Sequence, residues 1–282
     1  MAQTGAGLSL EDIEIQLLLE GIALHYGYDF RDYAPGPLRR NLVMSMAMEG
    51  VPTISRYQER LLHDPECMER FLNTVGVNVT SMFRNADGLL YLRDEIVPWL
   101  RTFPSVQLWI AGCATGEDVI SLAIVLHETG MFHRSRIYAT DINERSLLTA
   151  RARAYPLENV QSYEAGYELA GGIGTLADYY SISGDVATFD RSLLANVTFA
   201  RHNLTTDASF NEFHVAVCTN VLSHFSPALQ DRVFTLLHDS LIPGGFLVLG
   251  KLDSMAGSRV RHRFKPVLDR GGVYRRARDW PS

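Results

Sequence analysis

Residues Leu108–Gly130, LWIAGCATGEDVISLAIVLHETG, decide the fold of this chain. An apolar run passes into a glycine turn and then into a segment whose apolar residues recur at helical spacing, which predicts a buried strand followed by a helix. Gly112 and Gly116 lie in the turn, where glycine lets the backbone bend sharply and approach a ligand closely. The G-x-x-x-G spacing is weak evidence by itself, because it matches neither a Walker loop nor the G-x-G-x-x-G pattern.

Two acidic residues, Glu117 and Asp118, follow this turn at the start of the predicted helix. Two carboxylates there would repel a pyrophosphate and would suit a ligand with a cationic centre, such as the sulfonium and amino groups of S-adenosylmethionine. The alternative is that both acids only complement the positive end of the helix dipole.

The segments around this stretch repeat the passage from strand to helix. Four apolar runs, VQLWIA, RIYAT, HVAVCT and GGFLVLG, predict buried strands. Helices are predicted near Val119–Glu128, Glu144–Ala154 and Pro227–Ser240. This alternation predicts an α/β fold with a doubly wound, mostly parallel sheet and helices on both faces.

Asp141 lies at the carboxyl end of the predicted strand RIYAT, directly before a helix. An acid at this position can accept hydrogen bonds from both ribose hydroxyls of a nucleoside. The alternative is that Asp141 is the N-cap of the helix. Asn143 is a competing cap, which would leave Asp141 available to a ligand.

The chain is expected to have two domains, an N-terminal helical domain of residues 1–76 and a sheet domain of residues 77–282. Helical spacing begins near Ser9 and continues, with breaks at Gly50 and Pro52, to Val75. A small antiparallel β-subdomain is expected as an insertion at about residues 177–201. Its predicted strands are Tyr179–Ile182, Val186–Phe189 and Val197–Arg201.

Composition excludes several classes of function. The formal charge of −6 over 282 residues argues against a dedicated nucleic-acid binder. The cysteines, Cys67, Cys113 and Cys218, show neither disulfide nor zinc spacing, and no histidine pairing indicates a metal site. With no signal peptide and no long apolar stretch, we expect a cytoplasmic protein without membrane insertion, and nothing demands more than a monomer.

Several motifs, taken in order, resemble the chemotaxis receptor methyltransferases of the CheR family. They are NVTSMFRN, AGCATGED, YATDIN, FARHNL, CTNVLSHF, PGGFLVLG and the final VYRR. The resemblance covers nearly the whole chain and implies a class I, Rossmann-like methyltransferase. It further implies that the protein uses S-adenosylmethionine to form methyl esters on glutamate side chains of chemoreceptors or related signalling proteins.

The resemblance also implies roles for individual residues. Arg84 would orient the substrate carboxylate beside the methionine part of the cofactor, Asp141 would hold the ribose, and His224 would line the substrate site. The implied cofactor-binding residues are Asn78, Thr80, Arg84, Gly112, Gly116, Glu117, Asp141, Asn203, Leu204, Asn220 and Val221. Asn203 and Leu204 would flank the adenine. The alternative for Arg84 is a structural ion pair, and for His224 a packed histidine.

The sequence departs from the family near the expected substrate. Thr219 replaces the usual arginine and His224 the usual tyrosine; Val119 and Ile120 alter the loop helix, and Leu252-Asp253-Ser254 replaces a later Ser-Glu-Ser. Two alternatives therefore stay open, a methyltransferase with a different substrate and a cofactor-binding signalling partner without catalysis.

The family's partners bind at two places. By resemblance, the helical domain docks on a receptor through basic residues, for which Arg31, Arg39 and Arg40 are candidates, although they could also form a solvated helix face. The β-subdomain would capture a receptor tail by adding a strand.

Overall fold

A computed structural model describes residues 8–75, 80–251, 253–268 and 272–277. The chain forms two compact units. One contains the N-terminal helices together with His224–Leu229, and the other contains the remaining described residues. Within these ranges, no helix is both long and apolar enough to cross a membrane.

The N-terminal unit contains four helices: α1 Leu10–Tyr26, α2 Pro35–Glu49, α3 Ile54–His63 and α4 Pro65–Val75. Thr53 is the N-cap of α3, where its hydroxyl accepts a hydrogen bond from the Arg56 N–H. Ile22, Tyr57 and Phe71 are among the fully buried side chains that hold the helices together. The all-helical N-terminal domain expected from the sequence is confirmed.

The second unit is built on a seven-stranded sheet in the order β6-β2-β1-β7-β8-β10-β9. The first five strands in this order are parallel, and β10 pairs antiparallel with both of its neighbours, β8 and β9. The bounds are β1 Val106–Ala111, β2 Ser135–Asp141, β6 Val197–Arg201, β7 Phe213–Cys218, β8 Leu241–Leu249, β9 Phe264–Leu268 and β10 Val273–Arg276.

Helices connect these strands, as the α/β pattern predicted. They are α5 Ala86–Tyr91, α6 Val97–Leu100, α7 Glu117–Glu128, α8 Glu144–Ala152, α9 Leu157–Leu169 and α10 Pro227–Asp239; a π-helical turn, Leu92–Ile96, joins α5 to α6. The chain goes from β1 to β2 on one side, and β7 lies on the other side of β1. In open parallel sheets the crevice at such a reversal, beyond the carboxyl ends of the strands, is where ligands bind.

The small antiparallel sheet is present, but its composition corrects the prediction. Its order is β3-β5-β4, with β3 Ala154–Pro156, β4 Tyr180–Ser183 and β5 Val186–Phe189. The prediction that Val197–Arg201 belongs to it was wrong, because this segment is β6 and pairs in parallel with β2. The 3₁₀ turn Arg191–Leu194 separates β6 from β5 and directs the chain to the main sheet.

The third strand of the small sheet comes from a segment predicted to be helical. Arg153 has a left-handed backbone with φ of 58°, and it ends α8 two residues earlier than the prediction. Ala154–Pro156 can then pair with β5. Helix α9, which follows directly, had not been predicted.

Glu128, at the end of α7, is the centre of a buried polar network. Its carboxylate forms an ion pair with Arg93 and accepts hydrogen bonds from the Tyr167 hydroxyl at 2.6 Å and the Tyr179 hydroxyl at 3.0 Å. The Ile173 N–H adds a further bond at 3.1 Å. Burial opposes ionisation, but the bonds from Tyr167 and Arg93 outweigh it and lower the pKa of Glu128. The network therefore fastens α9 and the approach to β4 onto α7.

We expect Glu128→Gln to reduce the free energy of unfolding by about 3 kcal/mol at pH 7, because it leaves the Arg93 guanidinium buried without its charge partner. The matched control is Glu144→Gln, whose pair with Arg151 is exposed, and it should cost less than about 0.5 kcal/mol. Because the Glu128 pKa is lowered, wild type should lose this stabilisation as pH falls below the ordinary value of 4.5, and the Gln variant should not. Denaturant titrations measure both; equal losses for the two variants would contradict the role of Glu128.

Candidate functional site

The loops that follow β1, β2 and β7 meet at the carboxyl edge of the sheet. The N–H groups of Gly112 and Cys113 both donate to the Thr140 carbonyl at 2.8 Å. A β-carbon on Gly112 would lie 2.6 Å from Cγ2 of Val221, closer than side chains can approach. The structure therefore brings Gly112 and Val221 into contact, and only glycine allows it.

Gly116 is the second glycine that the backbone requires. Its φ of 93° is in the left-handed region, and a β-carbon there would lie 2.7 Å from the β-carbon of Ala150. The residue is the N-cap of α7, so the helix begins close against α8. The turn leaves no room for a side chain at this position.

The two acids after the turn have different surroundings. Glu117 is only 5% exposed, accepts a hydrogen bond from the Thr115 hydroxyl at 2.7 Å, and has its pKa raised to about 7 by burial. Asp118 is half-buried and accepts a hydrogen bond from the Thr219 hydroxyl. Burial raises the pKa of Asp118, while the Thr219 bond and the Arg84 charge oppose the increase. A carboxylate that only complemented a helix dipole would be expected to remain in solvent.

Asp141 ends β2 with both carboxylate oxygens bound to backbone. The Ala114 N–H donates to Oδ2 at 2.9 Å and the Asn143 N–H to Oδ1 at 2.8 Å. The N-cap of α8 is Asn143, whose side chain accepts from the Arg145 and Ser146 N–H groups. Of the two cap candidates the structure selects Asn143, and Asp141 instead joins the β1 and β2 loops.

Asn203 and Leu204 follow the end of β6 beside this edge. The His202 N–H donates to the Asp141 carbonyl at 3.1 Å, which ties the segment to β2. The side-chain oxygen of Asn203 accepts from the Thr205 N–H and hydroxyl. Leu204 is buried directly beside this hydrogen-bonded turn.

Arg84 lies in a segment whose neighbours are buried. Met82 and Phe83 are almost completely buried, whereas the side chain of Arg84 is exposed. Phe83 has a left-handed backbone with φ of 54°, and its N–H donates to the Ser121 hydroxyl of α7 at 2.9 Å. This bond fixes the backbone position from which the Arg84 side chain extends. Thr80 is half-buried, and Asn78 lies outside the described residues.

Asp253 is a positioning residue that the sequence reasoning missed. Asn220 has a left-handed backbone with φ of 56°, and its N–H donates to Asp253 Oδ2 at 2.5 Å. The Ser223 N–H donates to Oδ1 at 3.1 Å. Asp253 is 6% exposed, and burial raises its pKa against these backbone bonds. The departure Leu252-Asp253-Ser254 was the available signal, since an acid is retained there.

A cavity of about 220 Å³ opens at this edge of the sheet. It is lined by Arg84, Asn85, Asp118, Thr219, Asn220, Gly250 and Lys251. The cavity therefore has cationic and acidic groups on its walls. Of the predicted cofactor-binding residues, Arg84 and Asn220 line it, whereas Asp141 and the two glycines of the turn do not. The bare backbone turn and the carboxylates of Glu117 and Asp141 fit the chemistry of S-adenosylmethionine, which has a sulfonium, an ammonium group and two ribose hydroxyls.

His224 belongs to the helical unit, whereas Arg84 belongs to the sheet unit. The His224 carbonyl accepts a hydrogen bond from the Ala34 N–H at 2.8 Å. Burial, and then the charge of Arg40, lower the pKa of His224, so its ring is neutral at pH 7. Its assignment as a catalytic residue stays a prediction.

The cysteines near the site are buried thiols. Burial raises the pKa of both Cys113 and Cys218 well above the ordinary value, which suits packing and not nucleophilic catalysis. Among the residues that the structure describes, no group of His, Cys, Asp and Glu could hold a metal ion.

Gly116→Ala should lower the affinity for S-adenosylhomocysteine by at least about tenfold, because the new methyl group must displace α8 from the turn. Gly130→Ala, at the other end of α7, is the matched control: its φ is 70°, but nothing lies within 4 Å of the added carbon. It should cost about 1 kcal/mol of stability and leave affinity unchanged. Calorimetric titration measures the affinity; similar losses in both variants would show that strain alone, and not the close approach, matters.

The raised pKa of Glu117 predicts a proton linked to cofactor binding. The ammonium group of S-adenosylhomocysteine favours the ionised carboxylate, so affinity for this ligand should rise between pH 6 and 8, around the value of about 7. In the ligand-free protein, stability should fall as pH rises from 4.5 to about 7, because the folded state holds this proton more tightly than the unfolded chain. Glu117→Gln should abolish both effects and Glu144→Gln neither; a pH-independent affinity in wild type would refute the link.

Comparison with known proteins shows which family the chain resembles. The family model described as CheR methyltransferase, SAM binding domain, matches residues 78–269, and the CheR methyltransferase all-alpha domain matches residues 13–75. The protein Cher3 of Pseudomonas putida is 44% identical over 266 residues, which are 94% of this chain and 97% of that protein.

The comparisons also include more distant proteins. A chemotaxis protein methyltransferase of Listeria innocua is 25% identical over 226 residues, covering 79% of this chain and 83% of that protein. Among solved structures, the SAM-bound amino pentose methyltransferase CalS10 from Micromonospora echinaspora aligns with 58% of this chain and 50% of its own, at 17% identity and a TM-score of 0.36. With both domain models matched in order, the chain belongs to the CheR family of methyltransferases, and its cofactor is S-adenosylmethionine.

Proposed function

We propose that the chain is a protein-glutamate O-methyltransferase that acts on a chemoreceptor or a related signalling protein. The observation that carries the proposal is Arg84, an exposed guanidinium on the wall of the cleft beside the cofactor turn. A relative in Listeria innocua is a chemotaxis protein methyltransferase, and this supports an acceptor that belongs to chemotaxis signalling.

The chemistry requires positioning more than acid–base catalysis. A glutamate carboxylate, with a reference pKa near 4.3, is already ionised at neutral pH and needs no general base. The bound cofactor supplies a methyl group on a sulfonium. Arg84 can grip the carboxylate through two parallel hydrogen bonds and align it. Such alignment contributes roughly 7–11 kcal/mol in favourable cases.

The remaining site residues receive proposed roles from their positions. Asp141 would accept from the ribose, Glu117 would face the cationic part of the cofactor, and Asn203 and Leu204 would flank the adenine. The residues proposed to line the rest of the cofactor site are Asn78, Thr80, Gly112, Gly116, Asn220 and Val221. We assign this site to a methyltransferase domain of residues 77–282.

Two surfaces are proposed to bind the partner protein. In the helical domain, Arg31 is paired with Glu20 and Asp29, and Arg39 with two acids of α1, whereas Arg40 is exposed and is the best candidate for a receptor contact. In the small sheet, β4 is an edge strand with exposed side chains, which suits capture of an extended tail. We propose a cytoplasmic location, where the free cysteines stay reduced.

The direct test is transfer of tritium from labelled S-adenosylmethionine to purified cytoplasmic fragments of chemoreceptors, scored as base-labile methyl esters. Ester formation supports the proposal. A second candidate is a methyltransferase with a different acceptor, and Thr219 favours it. The hydroxyl of Thr219 donates to Asp118 at the position where the family usually has an arginine. Tight binding of S-adenosylhomocysteine without any ester on any fragment would favour that second function.

Arg84→Ala should lower kcat/KM for the receptor fragment by about 100-fold or more, since the carboxylate loses its bidentate partner. The affinity for S-adenosylhomocysteine should change much less. The control is Arg136→Ala, an exposed residue on β2. Steady-state kinetics measure kcat/KM, and calorimetry measures the affinity for S-adenosylhomocysteine. An equal loss of both in Arg84→Ala would contradict its role toward the substrate.

A further inference from the structure

The charges on the wall of the cleft are unequal. Its lining contains two cations, Arg84 and Lys251, and one acid, Asp118. Asp118 and Arg84 interact electrostatically, so the charge of the arginine is already partly balanced inside the cleft. The remaining cation is Lys251, which directly follows Gly250 at the end of β8.

Lys251 is held only weakly at this position. Its Nζ lies 3.6 Å from Oδ2 of Asp87, and the side chains of both residues are more than half exposed. Exposed pairs of this kind are worth less than about 1 kcal/mol and exchange readily. An arriving carboxylate can therefore take the place of Asp87 without a large cost.

The proposed reaction brings an acceptor carboxylate into this cleft. The cofactor carries its own cations, the sulfonium and the ammonium group, beside its one carboxylate, so the charge left to match at the entrance is that of the acceptor. Asp118 on the wall repels an entering carboxylate unless a cation offsets it. With Arg84 already interacting with Asp118, Lys251 is the cation of the cavity wall that is left to attract the acceptor.

From these observations we infer that Lys251 is a positioning residue for the reaction, which draws the acceptor carboxylate into the cleft while Arg84 aligns it. This inference rests on the proposed glutamate methyltransferase function. Lys251 supplies net charge on a flexible stem, whereas Arg84 supplies fixed bidentate geometry. Loss of Lys251 therefore weakens acceptor binding more than it slows the chemical step.

The experiment compares wild type with Lys251→Met, which keeps the length of the side chain and removes its charge. Lys251 and Lys265 are the only lysines in the sequence, so Lys265→Met, on the exposed face of β9, is the matched control. The substrate is the receptor fragment that wild type methylates, and the cofactor site is probed separately with S-adenosylhomocysteine.

For Lys251→Met we expect a KM for the fragment about tenfold higher, as for the loss of one charge-assisted hydrogen bond, with kcat changed less than about threefold. Affinity for S-adenosylhomocysteine should stay the same, Lys251→Arg should restore the KM, and Lys265→Met should match wild type. An unchanged KM in Lys251→Met would overturn the inference, and so would an equal loss of cofactor affinity. If wild type itself forms no ester, the proposed function fails first and this inference fails with it.

Discussion

The site depends on one close approach, between the backbone of Gly112 and the side chain of Val221. A β-carbon at Gly112 would occupy the space of the valine methyl group, so the loops after β1 and β7 can meet only if residue 112 has no side chain. The hydrogen bonds from Gly112 and Cys113 to Thr140 join the β2 loop to the same point. The ends of β1, β2 and β7 are thereby held together at one edge of the sheet, and the side chains at these ends are held in place with them.

Charge is distributed in layers around this edge. The acids Glu117 and Asp253 are buried, and burial raises the pKa of each. Arg84 and Lys251, by contrast, are exposed at the cleft. Neither carboxylate has a cationic partner among the residues that the structure describes. Buried acids of this kind favour a cationic ligand inside, and exposed cations favour an anionic acceptor at the entrance. A positively charged methyl donor and a carboxylate acceptor match that arrangement.

Buried polar contacts away from the cleft determine how the site is supported. Ser121 accepts the Phe83 N–H and also donates to the Glu117 carbonyl, so one hydroxyl connects α7 to the segment that presents Arg84. A β-carbon on Gly166 would lie 3.1 Å from that of Phe83, which means that α9 packs closely on the same segment. The position of Arg84 therefore depends on contacts with α7 and α9 as well as on its own segment.

The sequence by itself determined the fold class, the all-helical N-terminal domain, the glycine turn between β1 and α7 and the strand-end position of Asp141, because periodicity and glycine placement are local signals. It could not assign Val197–Arg201 to the main sheet, since a short apolar run looks the same whichever strand it pairs with. Nor could it show what Asp253 does, because this carboxylate accepts the N–H of a residue 33 positions away. Only the tertiary structure decided such points, because pairing partners and burial are set by contacts between segments that are distant along the chain.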